Sequence, residues 1–315
     1  MNRRTIIKKL ALGSSMALFA GDLLATRPIV TNARKNNRNG PFLFTKVLQW
    51  VPLGDLPQVV QDLGFKGIDI AVRGNGHFQV EDLKSKLPPL VAKSTALGME
   101  TLIMTTELPG ENMGQMDEIL RIMAGEGVRD YRMGWFRYKT QNPMEELKAY
   151  NTRLKKLAEL HEKHQVQGHY QNHAGNGVGG SVLEMLYLLD GIDPGQIGIQ
   201  YDLRHAMVEG YRSWETAFHA IKHKITTLDV KDYKWQDVSG TDAPVTVPLG
   251  QGNASWDKLA QTQVFNSSSI PKIVHVEHQL GGAERGSKEP KIPASEILTA
   301  IKKDLNYFNQ HLAKR

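Results

Sequence analysis

From residue 42 onward the chain alternates short apolar runs with amphipathic segments, and this alternation limits the fold more than any other feature. Strand-like runs fall at 42–50, 68–72, 99–105, 131–138, 165–172, 197–202, 225–231 and 273–278. Helical spacing fills the intervals at 57–63, within 80–96, and at 113–123, 145–164, 181–189 and 214–221. A long loop with a short helix at 255–261 precedes the eighth run, and a helix over 294–312 follows it. Pro57 suits a first helical turn, where its missing N–H costs nothing. Pro88-Pro89 predicts a fresh helix start inside the second interval, and Gly98 a C-terminal cap. A regular strand–helix order demands a parallel sheet with helices over it. Eight units, in a length near the ~250 residues typical of closure, predict an α/β fold, a single (β/α)8 TIM barrel over residues 41–315. An open doubly wound sheet would want a glycine-rich phosphate loop after its first strand, and VPLGDLPQ at 51–58 has none.

Charge bears on what such a barrel serves. The 315 residues carry a net charge of +6, but residues 1–40 hold eight basic side chains against Asp22 alone, a net of +7. Residues 41–315 are therefore at −1, and no nucleic-acid partner is expected, because that would need a basic face. The basic head MNRRTIIKKL and the apolar run after it read as a signal peptide over 1–25, with Arg3-Arg4 giving it a twin-arginine character. The run is shorter than the ~20 residues of a membrane span, so membrane contact is expected only during export to the periplasm. Residues 26–40, rich in Asn and Arg, read as a linker. With no cysteine in the chain, any metal must be held by Asp, Glu, His, Gln or Asn.

Chemistry-bearing side chains gather where the strands end. A strand repeats every two residues, so His169, Gln171 and His173 share one face, as do Gln200 and Asp202, with His205 just beyond. The second strand offers Asp69, then Arg73 and His77; the seventh offers Asp229 and Lys231; the eighth offers His275 and Glu277. A lone polar residue at a strand end is an ordinary cap. Four consecutive strands placing a carboxylate or amide at one level are costly to bury unless a cation or substrate compensates. Such an oxygen-rich set suits a divalent metal, Mn²⁺ or Mg²⁺. Trp50, Trp135 and Trp235 are candidates for an apolar wall against a ring, while Trp256 serves equally for packing. His161 and His164, spaced i, i+3 in ELHEKH, read as solvated helix-end residues.

The stretches YQNHAG, YDLRHAMVEG, DVKDYKW, VPLGQG and HVEHQLGGAE, with GFKGIDIAVRGNGH earlier, resemble the xylose-isomerase-like barrel superfamily over residues 42–312. That superfamily holds sugar isomerases and epimerases, inosose dehydratases and endonuclease-IV-type nucleases. The resemblance implies a divalent metal on strands five to eight, at Gln171, Asp202, Asp229 and Glu277. Asp202 and Glu277 match the usual ligands, whereas Gln171 stands for a Glu and Asp229 for a His. It also implies substrate contact by His205, with Arg73, His77 and Trp235 nearby. Gln171 cannot take a proton, so two-base epimerisation gives way to one-base chemistry. Abstraction of a proton α to a carbonyl, through an enediolate, covers isomerisation, elimination and hydration. Exported barrels with similar QNH and KDxKW-like stretches point to 3-keto-sugars as substrates of a lyase or hydratase. Glu277, Lys231 or His173 would move the proton, with Lys231 either a base if its pKa is lowered or a salt-bridge partner of Asp232 or Asp202. The expected partner is a small sugar or glycoside, and a homo-oligomer stays open. Two competitors remain: a nuclease, disfavoured by the near-neutral barrel, and a non-catalytic sugar-binding or accessory subunit with a degenerate metal site.

Overall fold

The computed structural model describes residues 40–99 and 101–313. The expected signal peptide, and the linker apart from Gly40, lie outside the described residues. The elements run β1 (Pro41–Phe44), α1 (Leu56–Leu63), β2 (Gly67–Ala71), α2 (Leu83–Ala96), β3 (Thr101–Thr105), α3 (Met113–Gly125), β4 (Asp130–Arg132), α4 (Pro143–His164), β5 (Gln167–Gln171), α5 (Glu184–Leu188), β6 (Ile197–Asp202), α6 (Leu203–Gly210), α7 (Trp214–Ile221), β7 (Ile225–Val230), β8 (Asp232–Val238), β9 (Thr241–Val247), α8 (Trp256–Leu259), α9 (Gln263–Asn266), β10 (Lys272–Val274) and α10 (Ala294–Tyr307). Strands β1 to β7 and β10 close a barrel in sequence order, every pairing parallel, with β10 returning to β1. Among the described residues no helix is long and apolar enough to cross a membrane.

The closed cylinder divides the core. Most buried apolar side chains lie between the strands and the helical ring, among them Leu43, Ile68, Ile70, Met104, Leu154, Ile199 and Leu228. A small plug of Phe42, Phe44, Ala71, Ile103 and Ile273 is separate from that layer. Buried polar groups are numerous at the strands, and each needs a partner. His169, grouped above with Gln171 and His173, is one of them. It is fully buried and bonds Asp130 Oδ1 (3.0 Å) and Thr226 Oγ1 (2.8 Å), away from the mouth where Gln171 ends its strand.

Several expectations change for identifiable reasons. The first run is a strand only to Phe44, and residues Thr45–Leu48 coil into a 3₁₀ turn. There the Thr45 hydroxyl donates to the Asp69 carbonyl, tying the turn to the neighbouring strand. The fourth strand stops at Arg132, and just beyond it Gly134 packs against the Glu107 backbone, where a Cβ would come within 2.5 Å. Helix α2 runs through Pro88 and Pro89 without a new start, because Leu83, Leu87 and Leu90 bury one face on both sides of them. His161 is not a solvated end residue: it is 1% exposed and its Nε2 lies 2.9 Å from the Tyr131 hydroxyl. Gly168 makes that burial feasible, since a Cβ there would meet the His161 ring at 2.7 Å. Its neighbour His164 is partly covered and contacts Asp117 Oδ1.

The expected loop after the seventh strand is the antiparallel hairpin β8–β9, joined through Ser239-Gly240, both at positive φ (56° and 83°). Two such residues in a row are what a tight hairpin turn with the right twist requires. Asp232 anchors the hairpin base. Its carboxylate accepts backbone N–H groups from Tyr233, Gly250, Gly252 and Ala254. Trp256 is buried and packs edge-on against Phe265, a structural role.

Candidate active site

The C-terminal strand ends surround a cleft of about 780 Å³. Its walls carry Lys46, Arg73, Arg132, Arg204, Lys231 and Arg285 against Glu277 and Glu284, so the cleft is strongly cationic although the barrel as a whole is not. Gln171, His173, His205, Trp135 and His275 complete the lining that matters here. Asp202 and Asp229 are fully buried beneath it, set side by side by the β6–β7 register.

Asp202 ends β6 and caps α6, its Oδ1 accepting the His205 backbone N–H at 3.1 Å. Asn172 clamps the same residue: its Nδ2 donates to the Asp202 carbonyl (2.9 Å), and its Oδ1 accepts the Asp202 amide (2.8 Å). Lys231 Nζ lies 2.9 Å from Asp202 Oδ2, 3.0 Å from Glu277 Oε2 and 3.1 Å from His205 Nε2. Lys46 pairs with the other oxygen of Glu277. Asp229 is contacted by Gln200 Nε2 (2.7 Å), Gln171 Nε2 (2.5 Å) and His275 Nε2 (3.1 Å). Gln171 Nε2 also reaches Asp202 Oδ2 at 3.1 Å, and Gln171 Oε1 accepts from Arg132 Nη1 at 2.9 Å. Arg132 is itself held by the Thr106 carbonyl (3.1 Å) and lies over the Trp135 ring at 4.2 Å.

These contacts decide protonation. Burial alone would lower the Lys231 ammonium, but Asp202 and Glu277 outweigh it and hold its pKa above the ordinary lysine value. Of the two readings of Lys231, the ion pair with Asp202 is the one formed, and the upward shift works against its use as a base. Burial would raise Glu277, yet Lys231 and Lys46 outweigh that and keep the carboxyl well below its usual range. His205 is pushed well below the usual imidazole value by burial and then by Lys231. His173 is lowered by the same two causes. Both shifts favour the neutral ring, and the two ring centroids are 3.9 Å apart. Deeper down, burial raises Asp69 to about 6, with one oxygen bonded to the Thr105 hydroxyl at 2.9 Å.

Gln171, Asp202, Asp229 and Glu277 do converge, but their donor set does not fit a Mn²⁺ or Mg²⁺ ion. An amide N–H and an ammonium occupy the carboxylate oxygens that would ligate it. Among the described residues no three His, Asp or Glu side chains are placed to hold a metal. Of the substrate-binding candidates, His205 and Arg73 line the cleft. His77 does not, because its Nε2 is tied to the Thr45 carbonyl at 3.0 Å, with burial lowering its pKa to about 4. Trp235 stands on the hairpin, 42% exposed and outside the lining, so of the three candidate tryptophans Trp135 alone lines the cleft. Trp50 bonds back to the Val47 carbonyl instead. Lys46 and Arg132 also line the cleft, beyond the residues the sequence singles out. Both sit at or just past a C-terminal strand end, the position that singled out the others.

A model of the xylose isomerase-like TIM barrel family matches residues 57–288. Among solved structures, the chain is similar to the probable 3-DHS dehydratase of petrobactin synthesis from Bacillus anthracis, at TM-score 0.63 and 14% identity over 86% of this chain and 99% of that one. It is similar to a xylose isomerase domain containing protein from Salmonella typhimurium LT2, at 0.61 and 12% over 87% and 98%. It is also similar to the D-allulose 3-epimerase of a Methylomonas species in complex with D-allulose, at 0.60 and 12% over 86% and 96%. At these identities the likeness is one of fold. No curated protein matches the sequence.

Proposed function

The chain belongs to the xylose isomerase-like TIM barrel family, and from this premise and its cleft we propose a sugar-active enzyme that removes a proton α to a carbonyl. The reading rests on one observation: fixed cations and neutral imidazoles meet at one cleft at the C-terminal mouth of the barrel. A carbonyl oxygen that gains negative charge as the adjacent C–H breaks needs preorganised positive charge. Lys46, Lys231 and Arg132 supply it. The proton needs a neutral base near the working pH. His173 fits that role. Its Nδ1 lies 2.9 Å from the Ala174 carbonyl, so Nδ1 is the donor and the Nε2 lone pair is free. Glu277, clamped between two ammonium groups, is a weaker base and serves to place them. Trp135 offers an apolar face for a sugar ring. The resulting enediolate is common to isomerisation and to loss or addition of water, and the family's sugar epimerase and dehydratase neighbours both make sense of it. A 3-keto-sugar or its glycoside is the substrate class we favour, with acidic sugars next because the cleft is cationic.

The assay is incubation with a panel of free sugars, sugar acids and 3-keto-glycosides in D₂O. Deuterium should enter at the carbon next to the carbonyl, and His173→Asn should slow exchange by about 10²–10⁴-fold. Full exchange in that variant removes His173 from the mechanism. Saturable binding with no exchange on any compound favours the sugar-binding subunit reading instead. Export to the periplasm and division into leader, linker and barrel remain part of the proposal, supported by the sequence of residues 1–40.

A further inference from the structure

We infer that Lys231 takes the place of a divalent cation: its ammonium and the Gln171 amide hydrogens hold the buried carboxylates together and face the reacting carbonyl. This deepens the proposed function and rests on it for the carbonyl, but the exclusion of the ion stands on geometry alone.

Lys231 Nζ bridges Asp202 Oδ2 and Glu277 Oε2 at 2.9 and 3.0 Å. An ion ligated by those same two oxygens, at the ~2.0–2.6 Å that Mg²⁺ or Ca²⁺ needs, would sit on the nitrogen. Gln171 cannot turn to help. Arg132 only donates, so the amide oxygen must face it and the amide nitrogen must face Asp202 and Asp229. Reversing the amide would set donor against donor at Arg132 and oxygen against oxygen at both carboxylates. Arg132 is fixed in turn by Thr106 and Trp135, so the orientation does not relax. Asp229 is already surrounded by Gln200, Gln171 and His275. Charge argues the same way: the cations lining the cleft already outnumber Asp202, Asp229, Glu277 and Glu284, which leaves nothing for a further +2 to neutralise. The sequence builds this in simply. Lys231 follows Asp229 by two residues, one residue past the end of β7, so the alternation that turns Asp229 inward carries on to Lys231.

The test is metal content and thermal melting of untagged full-length protein. The wild type should carry no stoichiometric divalent metal, and added Mn²⁺ should leave its melting temperature unchanged. The double variant Gln171→Glu, Lys231→Ala replaces the amide by a carboxylate and removes the ammonium. It should take up close to one Mn²⁺, with a melting rise of roughly 5–10 °C at a hundredfold excess over its Kd. One tightly held equivalent in the wild type, or a Mn²⁺-dependent rise in its melting, overturns the inference even if the variant does not fold. A folded double variant that ignores Mn²⁺ overturns it too. Deuterium exchange persisting in chelator supports it, whereas exchange that stops in chelator and returns with Mn²⁺ refutes it. Absence of exchange under every condition counts against the proposed chemistry and leaves the metal result to be read from content and melting.

Discussion

Removing the ammonium without its partners measures how far the site depends on it. Lys231→Met keeps an unbranched chain of similar length and deletes only the charge. The consequence differs for the two carboxylates left behind. Glu277 retains Lys46 and is 20% exposed at the side chain, so it loses part of its compensation. Asp202 is fully buried and retains two neutral donors, the His205 amide and Gln171 Nε2. Breaking a buried pair from one side costs about 3–5 kcal/mol, and the retained donors place this variant near the lower end, at about 3 kcal/mol. For a domain of this size that is a melting drop of roughly 6–12 °C. Urea unfolding in chelator gives the number directly, provided the m-value is unchanged. Adding Asp202→Asn removes the orphaned charge, so the double variant should regain about 2 kcal/mol over Lys231→Met alone. A single-variant cost under about 1 kcal/mol, or no recovery in the double variant, would mean that Lys231 is not the principal counter-ion of Asp202.

His161 carries a pH signature: burial lowers its pKa to about 3, below the ordinary 6.5. The unfolded chain takes up that proton first as pH falls, so the stability His161 contributes is complete above pH 6.5 and declines toward pH 3. The slope is about 1.4 kcal/mol per pH unit for this one group, and His161→Gln should flatten the stability–pH curve by that amount between pH 6 and 4; an unchanged slope refutes it. For the leader, Arg3→Lys with Arg4→Lys should leave the protein in the cytoplasmic fraction of cells, while undiminished recovery from the periplasm would remove the twin-arginine reading.

What the sequence determined alone is the order of the barrel. Strand–helix alternation is a local property, carried by periodicity and by turn residues, and the β6 and α7 bounds follow it residue for residue. Gln171, Asp202, Asp229 and Glu277 were legible as one cluster, because parallel strands that close must bring their C-terminal ends together. The hairpin after β7 is also written locally, in Ser239-Gly240 between two alternating runs, but a reading that assigns every strand to the barrel takes it for a loop. What the tertiary structure decided is the sign and direction of the polar groups. Whether Lys231 is a base or a fixed cation depends on Asp202, at the end of β6, and Glu277, in the segment after β10. Which way the Gln171 amide points depends on Arg132, one strand away. Such facts are absent from any single stretch, since the field at a buried atom is a sum over side chains that only the closed barrel brings within a few ångströms.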